Sequence, residues 1–96
     1  MITHIVCWKY KNEITDEQRS DHIAKLRALP NFIENIESYE VGVDILHLER
    51  SFDTALVAKF ADRAALDAYA GHPEHQKVVT LGRQLAERAI SVDFEV

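Results

Sequence analysis

Four stretches of the chain carry the alternation of strands and three carry the spacing of helices. Residues 2–10 are rich in β-branched and aromatic side chains on both faces. Ile2, His4, Val6, Trp8 and Tyr10 fall on one side and Ile5 and Cys7 on the other, the pattern of a strand covered on both sides. Thr15-Asp16-Glu17-Gln18 fits a capping box, in which Thr15 accepts a backbone N–H and Gln18 reaches back. The helix it opens is predicted over residues 16–29, with His22, Ile23, Leu26 and Leu29 facing inward and Pro30-Asn31 ending it. Residues 36–46 alternate, with Tyr39, Val41, Val43 and Ile45 against Glu40, Gly42 and Asp44, as a strand buried mainly on one face does.

A polar connection, His47 to Asp53, leads to a third strand at residues 54–60 that is again apolar on both faces. Asp62 is placed to cap a short helix from Arg63 to Ala70. Gly71 then stands where a left-handed residue often ends a helix. Pro73 suits the first position of a new helix, which makes His72 its N-cap and puts His75 in its first turn. That helix carries Val78, Val79, Leu81 and Leu85 and is expected to run to about Arg88. Residues 90–96 alternate once more, Ile90, Val92, Phe94 and Val96 against Ser91, Asp93 and Glu95.

The order β-α-β-β-α-β is the split βαβ, or ferredoxin-like, arrangement. The short helix before the second long one is an addition to it. This topology puts strands 1 and 3 at the centre of an antiparallel sheet and strands 2 and 4 at its edges, which agrees with the apolar coverage of each. The fold class expected is therefore α+β, with the helices on one face of the sheet. The 96 residues form one domain, 1–96, with no linker or repeat. A monomer of this size buries only about two-thirds of its unfolded surface, so a second copy would add stability.

Composition narrows the function more than the fold. A formal net charge of -5, with 11 basic residues scattered among 16 acids, argues against nucleic acid, whose phosphates need clustered Lys and Arg. It disfavours anionic membrane surfaces for the same reason. No apolar run approaches the ~20 residues of a membrane span. The first residues lead straight into a strand with no leader-like pattern, so a cytoplasmic location is expected. The single cysteine, Cys7, excludes an intrachain disulfide and a cysteine-rich metal site. No His-Glu-x-x-His pattern, glycine-rich phosphate loop or serine nucleophile elbow is present. Neither metal nor organic cofactor is expected.

The chemistry that remains is imidazole and phenol. Tyr69-Ala70-Gly71-His72-Pro73-Glu74-His75 brings one tyrosine and two histidines to a helix-to-helix corner. Histidine is the side chain whose ordinary pKa lies near neutrality. If the even face of strand 1 packs on the helices, His4, Val6 and Trp8 point into the space beneath them. Leu56, Ala58 and Phe60 join them if strand 3 runs in matching phase, and His22 reaches the same space from the first helix. Each residue also has a plainly structural reading. His72 can be only a cap, His75 can bond a nearby carbonyl, Tyr69 can be a core aromatic, and His22 can sit at a wet helix boundary.

These residues carry a resemblance to a known family. His4-Ile5-Val6-Cys7-Trp8-Lys9-Tyr10, Leu29-Pro30, Ser51-Phe52-Asp53 and above all Tyr69-x-x-His72-Pro73-x-His75 with Val78 resemble the stress-responsive dimeric α/β-barrel (Dabb) family over nearly the whole chain. The resemblance implies a ferredoxin-like protomer whose sheet packs on that of a second chain to form a dimeric α/β barrel. The chain is similar to plant stress-induced proteins and to the plant cyclase that forms olivetolic acid without metal or organic cofactor. That likeness puts the cyclase's catalytic histidine on His75, its tyrosine on Tyr69 and a pocket histidine on His4. The chain departs from the cyclase at His22 and Ile23, where the cyclase has aromatic residues. It departs again at Ala86 and Ala89, expected on the long helix near bulkier residues of the cyclase.

The reading that results is a homodimer with a pocket for a small carbonyl or phenolic metabolite. His75 and Tyr69 are its candidate catalytic residues, for cofactor-independent cyclase or isomerase chemistry. His4, Val6, Trp8, His22, Leu56 and His72 are its candidate substrate-binding residues. The alternative is a non-enzymatic stress-responsive dimer in which the same corner fixes a helix junction.

Overall fold

The computed structural model describes residues 1–96. The chain forms β1 (Ile2–Tyr10), α1 (Asp16–Ala28), β2 (Ser38–Val43), β3 (Thr54–Phe60), α2 (Arg63–Gly71), α3 (Pro73–Leu85) and β4 (Ala86–Glu95). The sheet order is β2-β3-β1-β4, with every pairing antiparallel. β1 and β3 are central, and the fold is the expected ferredoxin-like one with helices on one face. No helix is long and apolar enough to cross a membrane.

Local chemistry explains where the elements begin. Thr15 and Gln18 form the complete capping box of α1, satisfying donors that the first turn leaves unpaired. The Asp62 carboxylate caps α2 by accepting the Ala65 N–H at 2.9 Å. The helix stripe falls as predicted: His22, Leu26 and Leu29 are buried and Ile23 is half-buried. The register opposes His4 to Ala58, Val6 to Leu56 and Ile2 to Phe60. These residues therefore share the helix-covered face, and the core gathers on Leu56, Ala58, Phe60, Leu26 and Tyr69.

Three boundaries differ from the sequence reading. β2 spans only Ser38–Val43. Beyond it the Asp44 carboxylate accepts the His47 N–H at 2.7 Å, closing a turn in which His47 takes a left-handed φ of 53°. Gly71 is not left-handed: no glycine has positive φ, and Gly71 is the last residue of α2. The chain instead leaves the helix at His72, at φ -66°, ψ 136°, because Pro73 drives its predecessor out of the helical region. Finally α3 stops at Leu85 and β4 starts at Ala86, so Ala86 and Ala89 belong to the strand and not to the helix. Tyr10 pairs with Ala86 and Lys9 with Arg88, which leaves Glu87 as the extra residue of a bulge that lets the strand start so early.

His22 is fully buried. Its Nδ1 shares a 2.7 Å hydrogen bond with the Tyr10 hydroxyl, which also meets Thr54 Oγ1 at 3.1 Å. Burial lowers the His22 pKa from 6.5 to about 4, so the ring is neutral at pH 7. The unfolded imidazole protonates near its ordinary value, and below that pH the unfolded state binds more protons. Stability is thus complete above pH 6.5 and falls as the pH drops toward 4. At 1.36 kcal/mol per unit, this side chain alone removes about 2 kcal/mol between pH 6.5 and 5. Urea unfolding of wild type and His22→Gln at those two pH values checks this, since the variant should lose most of the slope. An unchanged slope would mean that His22 is not the group held neutral.

Candidate functional site

A cavity of about 420 Å³ lies between the sheet and the helices α1 and α3. Its walls include His4, Val6 and Trp8 from β1, Leu56 from β3, Tyr69 from α2 and His75 from α3. The space exists because β4 closes that side with small side chains. Ala89 and Ser91 pair with Trp8 and Val6, so they share the helix-covered face and reach far less than a Leu or Phe would. β1 sets the long axis: Trp8 lies four residues beyond His4, roughly 13 Å along the strand. His75 and Gly82, both lining the cavity, are seven residues apart on α3, roughly 10 Å along the helix.

The His4 end holds the imidazole and phenol groups, while Arg83, Glu87 and Arg88 line the cavity toward the α3–β4 junction. Tyr69 is 1% exposed, and its hydroxyl is 3.2 Å from that of Tyr39. Burial raises the pKa of both phenols, so each keeps its proton at neutral pH, and one of the two donates to the other. The His75 ring lies 4.4 Å from the Tyr69 ring, and the His4 ring meets Tyr69 edge-on at 5.9 Å. His75 Nδ1 donates to the Ala70 carbonyl at 2.9 Å, which leaves a lone pair on Nε2. Burial lowers the His75 pKa, the Ala70 bond partly opposes this, and nearby His4 and His72 lower it further.

His4 is anchored in the same way but by a carboxylate. Its Nδ1 bonds Asp93 Oδ1, directly across the β1–β4 pairing. A base oriented by a carboxylate through its other nitrogen is a recurrent catalytic arrangement. Asp93 is the functional candidate absent from the sequence reading. There it appears only as one polar member of an alternating strand. The apolar members, Ile90, Val92 and Phe94, are 47%, 56% and 45% exposed. They lie on the open sheet face with Ile5 and Cys7, while Asp93 and Ser91 take the side that His4 and Val6 share.

Two expected binding residues are placed elsewhere. His72 does not line the cavity. Its Nδ1 accepts the Glu74 N–H at 3.1 Å, so its ring caps α3. His22 is also absent from the walls and stands behind Trp8, whose ring it meets edge-on at 5.1 Å. No three His, Cys, Asp or Glu side chains converge as a metal would require.

The anchoring of both imidazoles is checkable. At pH 7.5, long-range ¹⁵N–¹H spectra should show His4 and His75 as Nδ1–H tautomers. Asp93→Ala should release His4 into a tautomer mixture and leave His75 unchanged. Either ring found as Nε2–H would contradict the geometry.

Comparison with known proteins identifies the lineage. The family model described as "Stress responsive A/B Barrel Domain" (Dabb) matches residues 2–96, and the chain belongs to that family. An uncharacterised protein of Streptomyces coelicolor is 33% identical over 97 residues, covering 99% of each chain. A dimeric ferredoxin-like protein of unknown function from Thermobifida fusca superposes with a TM-score of 0.90 at 25% identity, over 99% of this chain and 90% of the other. The hydroxynitrile lyase of Passiflora edulis superposes with a TM-score of 0.89 at 18% identity, over 99% of this chain and 92% of the lyase. That last likeness is one of fold.

Proposed function

We propose that this Dabb-family protein binds a small carbonyl or phenolic metabolite in the cavity and performs cofactor-independent acid/base chemistry on it. The observation that carries the reading is the convergence of His4, Tyr69 and His75 on one cavity with mainly apolar walls, with both imidazoles held by their Nδ1 atoms. In the proposed step His75 Nε2 removes a proton from the carbon beside the carbonyl. The C–H electron pair moves into the enolate, and the Tyr69 hydroxyl donates to its oxygen. His4, held by Asp93, supplies a second polar contact to the bound substrate. Return of the proton to another carbon gives an isomer, and attack of the enolate carbon on a second carbonyl gives a ring.

Deuterium incorporation beside the carbonyl of 4-phenylbutan-2-one, followed by NMR in D₂O, tests this on a simple ketone, whatever the natural substrate. A positioned base supplies about 10²- to 10⁴-fold, so His75→Ala should lower the exchange rate by a factor in that range. Tyr69→Phe should lower it by a smaller one. The base works only when neutral, and burial holds its pKa below 6.5, so the rate should stay flat from pH 8 to 6.5 and fall below that. Exchange no faster than in buffer would sink the proposal.

A structural reading has its own support, because the corner histidines do structural work. His72 caps α3, and His75 ties down the Ala70 carbonyl near the end of α2. If that is the whole role, His75→Ala lowers the unfolding midpoint and leaves exchange untouched.

The open sheet face supports assembly as a homodimer. Val57, Ile90, Val92 and Phe94 are exposed there, and solvent-facing apolar patches of this kind mark interfaces. The Thermobifida fusca neighbour is dimeric. Light scattering should give twice the chain mass of 11.0 kDa for wild type and the single mass for Val92→Lys. A monomeric wild type at micromolar concentration would overturn the assembly.

A further inference from the structure

We propose that His4 is the end stop of the cavity, a specificity-determining residue that lets the reacting carbonyl carry bulk on one side only. This rests on the reading that the cavity binds a carbonyl compound, and it goes further by fixing that compound's shape.

His4 borders two spaces. On its inner side lies the 420 Å³ cavity, which Val6 and Trp8 continue along β1. On its outer side lies a groove of about 520 Å³ between α2 and the far end of the β1–β4 pair, with Ile2, Leu66 and Ala70 among its walls. The strands make these two halves of one trough. Ile2, His4, Val6 and Trp8 follow one another on the helix-covered face of β1, and β4 runs beside them from Glu95 to Ala89. Six residues separate Ile2 from Trp8, roughly 20 Å of strand. No other residue lines both the cavity and the groove, so the partition between them falls at this side chain.

The imidazole is fixed there from three sides. Its Nδ1 bonds Asp93 Oδ1 across the strand pair. Its ring meets Phe60 edge-on at 6.3 Å and Tyr69 edge-on at 5.9 Å. The side chain is only 14% exposed, and swinging it aside would break the Asp93 bond. A wall needs bulk and a fixed position, and neither depends on which nitrogen carries the proton.

The place of the wall decides what fits. Tyr69 and His75 stand at the same end of the cavity as His4, so a carbonyl that meets them lies beside the partition. One substituent of that carbonyl has the length of the cavity toward Trp8. The other runs into the His4 ring and must be short, as in an aldehyde or a methyl ketone. The groove beyond has apolar walls that would accept a longer chain, and only the ring keeps it out.

Calorimetry on two ketones separates this from the broader reading. 4-Phenylbutan-2-one carries a methyl group on the short side, and 1-phenylheptan-3-one carries a butyl group there. Wild type should bind the methyl ketone about tenfold more tightly, because the butyl group overpacks against a fixed ring. In His4→Ala the two spaces join and three further methylenes find apolar walls, so the order should reverse by about tenfold. His4→Phe keeps a ring and removes the imidazole contact, so the methyl ketone should still be preferred. Asp93→Ala leaves residue 4 intact and frees its ring, which should cut the wild-type preference by about threefold or more. That variant keeps the test decisive if His4→Ala does not fold. Equal binding of the two ketones to wild type overturns the end stop and leaves the cavity reading standing. A preference that survives unchanged in His4→Ala or, failing that protein, in Asp93→Ala places the limit elsewhere and also overturns the end stop. Binding of neither ketone to wild type overturns both readings.

Discussion

β1 is hydrogen-bonded on both sides, to β3 and to β4, in a register that opposes His4 to Ala58 on one neighbour and to Asp93 on the other. Because side chains alternate along a strand, a slip of one residue would turn His4, Val6 and Trp8 to the open face and bring Ile5 and Cys7 under the helices. The cavity would then lose a whole wall. The same register brings Asp93 to His4 Nδ1 and places the small Ser91 and Ala89 opposite Val6 and Trp8. Orientation of a histidine and creation of empty space thus follow from a single pairing. The bulge at Glu87 preserves that pairing while letting β4 begin directly after α3.

The α2–α3 corner supplies the opposing wall, and there side chains that line the cavity also hold the architecture. Pro73 fixes His72 as an extended residue, and the His72 ring then caps α3. One turn later His75 Nδ1 and Gln76 Nε2 both donate to the Ala70 carbonyl, near the end of α2. The bond that holds the corner also dictates which His75 nitrogen carries the proton. That leaves the lone pair on Nε2 of a ring that lines the cavity, with no further residue needed to orient it. His4 has no such backbone partner and is held by a carboxylate instead. The two imidazoles therefore differ in what holds Nδ1, a backbone carbonyl at His75 and a carboxylate at His4.

Much of this is legible in the sequence because it is local. The capping box at Thr15, the cap at Asp62 and the Tyr69-to-His75 corner are written within a few residues. The two-sided apolar pattern of residues 2–10 and 54–60 marks the central strands. Where sequence and structure part, the cause is a partner distant along the chain. Asp93 looks like a solvent-facing residue until β4 is paired with β1, 89 residues back along the chain. Residues 86–89 continue the helical pattern of α3. Pairing with Tyr10, Lys9 and Trp8 converts them to strand, an instance of tertiary contacts overriding local propensity. At Gly71 two local signals compete, and the steric demand of Pro73 prevails over the preference of glycine for the left-handed region.

Size decides how such a cavity can exist in a chain this short. A sealed apolar void costs about 24 cal/mol per Å³, so 420 Å³ held empty would cost about 10 kcal/mol. That equals the whole stability of an ordinary domain, about 5–15 kcal/mol. The space escapes that cost because it is open to solvent rather than sealed. Ala86, Ala89 and Ser91 line it on the β4 side with little side-chain bulk. Large side chains on β4 would close the gap, fill the space and stabilise the fold. The small ones leave the space open beneath two oriented imidazoles, at the expense of tighter packing in the core.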